Sequence, residues 1–289
     1  MNTRTALNLG LLLLVLGLAG LALWPPDAPR SADPVTVVPL EREQIERIRL
    51  ERTGTPAIAL FREAGRWQMR QPFATEADPA RVDTVLRLLE LTSLARYPLA
   101  ELELAEYGLA VPALAVGLND LRIEFGDVAA LDRRRYVRIG QNLHLVPDTL
   151  FYHLQAPAEA YVSRRLLPEN SELAAVQLPG LRLLLEAGAW RTEPLQASAA
   201  AAADWAARWR RTRAVRVRAY RNEALGEPVE LVLQDAADTL RWVPLRDGTG
   251  LLRPDLGLVY ELSAGALAGL LHPTHPRTPG PAGGAPDDA

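Results

Sequence analysis

The chain has 289 residues and a net charge of −3 at pH 7, with 48% hydrophobic and 23% charged residues. That balance belongs to a protein that buries a core and has room for two domains, and it excludes wholesale disorder and the strongly basic field that a nucleic-acid partner needs. Cysteine is absent, which removes disulfides, thiolate metal sites and a thiol nucleophile, and all 32 Lys/Arg positions are arginine.

Residues 6–24, ALNLGLLLLVLGLAGLALW, contain no charge. At about 1.5 Å per residue they make a helix of about 28 Å, close to the hydrocarbon thickness of a bilayer. Arg4 precedes the run, Trp24 sits at an interfacial position, and Pro25-Pro26 end it. Residues 1–24 are therefore expected to be a short cytoplasmic stub and a single transmembrane anchor of the inner membrane, with the bulk of the chain periplasmic. The competing reading is a signal peptide cleaved after Gly20-Leu21-Ala22. Against it stand the length of the apolar run and the bulky Leu23-Trp24-Pro25 that would begin the mature chain. Residues 25–39, rich in Pro, Asp and Ala, read as a spacer.

A first module is expected over 40–170. Ile48 and Leu50, Ile58 and Leu60, and Trp67 and Met69 each alternate with other residues, the period of half-buried strands. Glu63–Arg66 supplies a turn in which Gly65 is free to take positive φ, and Pro72 closes the strand. Asp78 before Pro79 starts a helix, whose buried face is Val82, Val85, Leu86 and Leu89. Strand-like stretches follow at 114–118, 121–125, 136–139 and 143–146, then a short helix capped by Asp148. Gly108 is expected to be a turn or helix C-cap, with Pro112 opening the next strand.

A second module is expected over 171–271, because the phrase LFREAGRWQM at Leu60 returns as LLLEAGAWRT at Leu183. Gly65 and Trp67 recur as Gly188 and Trp190, with the tryptophans 123 residues apart. Pro194 then closes the strand, Ser198 caps an alanine-rich helix, strands follow at 229–233, 240–243 and 258–262, and a short helix starts at Ser263. The predicted fold class is α+β: two tandem, similar modules of antiparallel sheet plus helix behind one transmembrane helix. Trp67, Trp190, Trp205, Trp209 and Trp242 fall in alternating or helical patterns and are expected in the core. Residues 272–289 have the composition of a disordered tail.

Several stretches of the first copy resemble one family in order and spacing. They are Gly65-Arg66-Trp67 with Pro72, EYGLAVP at Glu106–Pro112, IEFG at Ile123–Gly126, RYVRIG at Arg135–Gly140 and LHLVP at Leu143–Pro147. The family is that of the domain of unknown function 4340. The resemblance is good over 45–170 and loose over 178–271, where no Tyr-Gly-Leu…Pro segment recurs. It implies a bacterial, membrane-anchored protein with an extracytoplasmic α+β region. It further implies a role beside the permease and auxiliary subunits of ABC-type transporters. The family offers no catalytic residues to carry over.

The chemistry-bearing residues are sparse. His144 and His153 stand nine apart on different elements, and His272 and His275 lie in the tail, so neither pair has a usual metal-ligand spacing. No Gly-x-Ser-x-Gly elbow is present. No catalytic residue, cofactor or metal site is expected. Seven of the fourteen residues from Arg208 to Arg221 are arginine. Of these Arg216 and Arg218 alternate with Val215 and Val217 on one strand face, and with Arg213 they could meet anionic lipid or an acidic partner; the alternative is a solvated face. Arg133–Arg135 reads as a charged loop. The expected function is a non-catalytic accessory or scaffold, partnered by an ABC-type permease or another envelope protein. The alternatives are a periplasmic ligand- or glycan-binding module and, behind it, an envelope hydrolase.

Overall fold

The computed structural model describes residues 35–130, 133–194, 197–234, 239–263 and 265–272. The apolar run at 6–24, most of the spacer and the tail beyond His272 lie outside the described residues. Among the described residues no helix is long and apolar enough to cross a membrane.

The first module begins with β1 (Val35–Thr36), β2 (Arg47–Arg52), β3 (Ile58–Glu63), β4 (Arg66–Gln71) and β5 (Thr75–Glu76). Helix α1 (Pro79–Leu86) follows, then β6 (Thr92–Ser93), β7 (Ala95–Pro98), β8 (Leu114–Leu118), β9 (Leu121–Val128), β10 (Arg134–Ile139), β11 (Asn142–Pro147) and α2 (Phe151–Leu154). Apart from the β1–β6 pair, the strands form one nine-stranded antiparallel sheet in the order β5-β4-β3-β2-β8-β9-β10-β11-β7. Alternation sets its faces: Ile48 and Leu50 are buried while Arg47 and Arg49 face water. Asp78 caps α1 by accepting the N–H groups of Ala80 and Arg81, and Val82, Val85 and Leu86 are buried.

The second module repeats the main elements of the first in the same order. It runs β12 (Leu173–Leu178), β13 (Leu181–Glu186), β14 (Ala189–Glu193), α3 (Ala199–Arg211), β15 (Arg216–Ala219), β16 (Val229–Leu233), β17 (Thr239–Pro244), β18 (Gly250–Arg253), β19 (Leu258–Glu261) and α4 (Ala266–Leu271). Its sheet order, β14-β13-β12-β16-β17-β18-β19-β15, is the first sheet's order with β5 missing. The twin hairpins share their register: Arg62 faces Trp67, and Leu185 faces Trp190. Both turns place Ala then Gly at positive φ, Ala64 and Gly65 in one and Ala187 and Gly188 in the other. This is the two-residue geometry that follows the strands' right-handed twist. Ser198 caps α3, whose Ala202, Trp205, Ala206 and Trp209 make the buried stripe.

The modules share a single hydrophobic core, from Val38 to Leu270. The join is a short strand-like seam. Val162 bridges Ala77, Ser163 N–H donates to Glu76 O, and two residues later Arg165 bridges Arg213 ahead of β15. One extended stretch thus pairs with the first module at one end and the second at the other.

Three expectations need correcting. Trp67 and Trp190 hold equivalent positions but are only partly buried, because each sits near a hairpin tip; Trp205, Trp209 and Trp242 are fully buried. Asp148 does not cap α2: its carboxylate is taken by Arg135, and the helix starts after Leu150 without a side-chain cap. Ser263 is likewise not the cap of α4, which begins after Gly265 in a left-handed conformation.

Candidate functional site

The arginine run is divided among a helix, a turn and a strand. Arg216 and Arg218 share one face of β15, with Val217 buried between them. Arg216 faces Glu261 on β19 and makes two hydrogen bonds of 3.0 Å to its carboxylate, and Arg218 Nε reaches the same carboxylate at 2.6 Å. Hydrogen bonding to Arg216, helped by Arg218, holds Glu261 below the ordinary carboxylate range. Arg218 also pairs with Glu223. Arg213 lies apart from this group, exposed in its bridge with Arg165. The strand face therefore carries its own counter-ions.

Three of the motifs behind the family resemblance, EYGLAVP, IEFG and RYVRIG, meet in space as a packing unit. Gly108 ends the short helical turn Leu104–Tyr107 with φ 67°, and a Cβ there would lie 2.5 Å from the Asp127 carboxyl carbon. Gly126 is tighter still: a Cβ would stand 2.1 Å from Tyr107 O. Tyr107 meets Tyr136 edge to face at 4.9 Å. Arg135, expected in a charged loop, is buried on β10. Its guanidinium lies 3.5 Å over the Phe151 ring, holds both Asp148 oxygens at 2.8 and 3.0 Å, and donates to Gly126 O. Planar stacking and a two-pronged carboxylate contact suit a guanidinium better than an ammonium.

An apolar-walled cleft lies elsewhere, at the edge of the first sheet where the described chain begins. Its volume is about 450 Å³, with Val37, Pro39, Leu121 and Ile139 among its walls. Its polar lining comprises His144 on β11 and Ser93 on β6, with Thr36, Arg96, Gln141 and Asn142. Ser93 Oγ donates to Ala95 O at 2.8 Å, so it accepts from His144 Nδ1–H at 3.1 Å. That assignment leaves Ser93 without a general base, since the nearer imidazole nitrogen already carries the proton. Burial, together with the charge of Arg96, holds His144 below its ordinary value and so keeps it neutral. Among the described residues no group of three or more His, Asp or Glu side chains could hold a metal ion.

Strand registers identify what this cleft corresponds to in the second module. His144 faces Arg96 across β11–β7, and Tyr260 faces Val217 across β19–β15. Leu94 N–H donates to Leu145 O, as Val215 N–H donates to Glu261 O. Continuing the same pairing, Leu121 matches Leu240, Ile139 matches Arg253, and the lead-in Val37-Val38-Pro39 matches Leu166-Leu167-Pro168. In the second module that face is covered by the first: Gln68, Ala74, Thr75 and Glu76 line the small residual cavity beside Leu166, Pro168, Leu240, Arg253 and Tyr260. Glu76 accepts the Glu169 N–H through both oxygens at 3.1 Å, and Arg66 donates to Glu169 O at 2.8 Å. Thr75 and Tyr260 line that cavity together. Burial follows the cover, with Leu166 at 1% exposure and its counterpart Val37 half-buried. Sequence reading missed this relationship because His144 and Tyr260 share no side-chain chemistry.

A family model described as Domain of unknown function (DUF4340) matches residues 67–226, from the first hairpin to just beyond β15. No curated protein and no solved structure matches the chain.

Proposed function

The chain belongs to the DUF4340 family, and we propose that it works as a non-catalytic, membrane-anchored periplasmic scaffold, an accessory subunit of an ABC-type transporter or another envelope complex. The observation that carries this reading is the unequal use of one duplicated face. On the second module the face is filled by the first, and on the first module the same face is an open, apolar-walled cleft. A surface built to accept a protein edge fits an assembly role. The His144–Ser93 contact inside it is poorly arranged for nucleophilic catalysis. The apolar run at 6–24 supports anchoring, and the lone Arg4 before it supports a cytoplasmic N-terminus.

The test is extraction of the full-length chain from its native membranes in mild detergent, beside a fusion of a periplasm-dependent reporter after Leu271. The expected result is an active reporter and a chain that migrates in a complex well above its own 31.6 kDa plus detergent. A chain that leaves the membrane alone, or a silent reporter, overturns the reading.

A further inference from the structure

We propose that the cleft between Val37 and His144 is a docking groove for an extended, acid-bearing segment of a partner protein, seated there as Ala74–Glu76 is seated on the second module. The proposal rests on the scaffold reading and adds the chemistry of the partner.

The seam inside the chain is the template. Its occupant is extended and small at Ala74, sets Thr75 beside Tyr260, and presents a carboxylate at Glu76 to the Glu169 N–H. On the first module the position of Glu169, one residue past the matching proline, is Leu40. Among the described residues neither the N–H nor the C=O of Leu40 makes a hydrogen bond. The position of Tyr260 is His144, and directly across the strand pair from it stands Arg96. Arg96 is exposed and has no ion-pair partner among the described residues. The Arg96 guanidinium, which lines the groove, and the free Leu40 amide, next to the lining residue Pro39, are each able to recognise a carboxylate. Arg253 of the covered face is replaced here by Ile139, so the groove also asks for an apolar side chain from its occupant.

The occupant is not a second copy. In every copy Thr75 and Glu76 are already engaged in that copy's own seam. The second module has no equivalent to offer, because five residues separate Pro72 from the cap Asp78 but only three separate Pro194 from the cap Ser198. The partner is a different protein.

The experiment places a photo-crosslinking residue, p-benzoylphenylalanine, at Leu121 of the full-length chain in detergent. The probe is a synthetic peptide of residues 66–78, RWQMRQPFATEAD, which carries the template segment. The peptide is expected to label the chain at Leu121, and the peptide bearing Glu76→Gln to label it about tenfold less at equal concentration. Arg96→Glu in the chain should cut labelling by the parent peptide to a similar degree, with an unchanged circular dichroism spectrum to show that the variant folds. Equal labelling by both peptides, or none by either, overturns the groove. So does a crosslink between two copies, or one to residues 1–34 of the same chain, either of which gives the cleft a different occupant. A membrane complex that persists while the peptide fails to label leaves the scaffold reading standing and removes only the groove.

Discussion

The Glu76 carboxylate in the first module accepts the backbone N–H of Glu169, in the segment that leads into the second, through both oxygens at 3.1 Å. Arg66 completes the arrangement by pairing with Glu76 and donating to Glu169 O. Glu76 is only 17% exposed at its side chain, so the amide it satisfies has little recourse to water. The contact is local, but it ties together two similar sheets that share one core.

Glu76→Ala should therefore destabilise the protein by about 1–3 kcal/mol, the cost of an unsatisfied, poorly hydrated donor together with an Arg66 left without its partner. Glu76→Gln keeps an acceptor oxygen and should recover about half of that loss. Urea denaturation of the protein reads both, and the alanine variant should also broaden the transition as the modules uncouple. An alanine variant as stable as the parent would mean that the seam is held by apolar packing alone.

The sequence made the repeat legible because strand period, turn glycine and helix cap are all local signals. Gly65 and Gly188, and Asp78 and Ser198, do in the structure what their neighbours require of them. What stayed hidden depends on partners far along the chain. Arg133–Arg135 reads as a solvated loop because three adjacent cations rarely enter a core. Yet Arg135 is met by Gly126, Asp148 and Phe151 from three different elements. The same capture removed Asp148 from its expected cap. Trp67 and Trp190 alternate as core residues do, but alternation says which face a residue takes and not how much sheet lies above it. The cleft was least legible of all: Ser93 and His144 lie 51 residues apart, and only strand register brings them together.

Gly126 and Gly65 separate two reasons for a glycine. At Gly126 a methyl group would lie 2.1 Å from Tyr107 O and 2.9 Å from Leu109, both part of the packed Tyr-Gly-Leu loop, so something must move. Gly126→Ala should cost about 3 kcal/mol or more. At Gly65 nothing lies within 4 Å of the added atom, and only the φ of +79° opposes it. Gly65→Ala should cost about 1 kcal/mol, and Gly188→Ala, at φ +78° in equally open space, the same. Chemical denaturation of the three variants gives the ranking. Equal costs at Gly126 and Gly65 would show that the loop yields without penalty.

Alkaline pH probes the seam from its other side. Burial pushes the Tyr260 phenol up to about 12, and burial does the same to Tyr161, which lies in the stretch joining the modules. An unfolded tyrosine loses its proton near 10. A phenol whose folded value is raised contributes stability that is fully present below 10 and is lost as pH climbs through 12, because the unfolded chain ionises first. Each can remove up to about 3 kcal/mol over that window. Denaturation midpoints should hold from neutral pH to about 9 and then fall steeply. Tyr260→Phe should make that fall shallower, with little change in stability at neutral pH. Tyrosinate absorbance gives an independent check: of the seven tyrosines, two should ionise only as the fold is lost. If all seven titrate together near 10 with the circular dichroism unchanged, water reaches Tyr260 and the seam around Glu76 is open in solution.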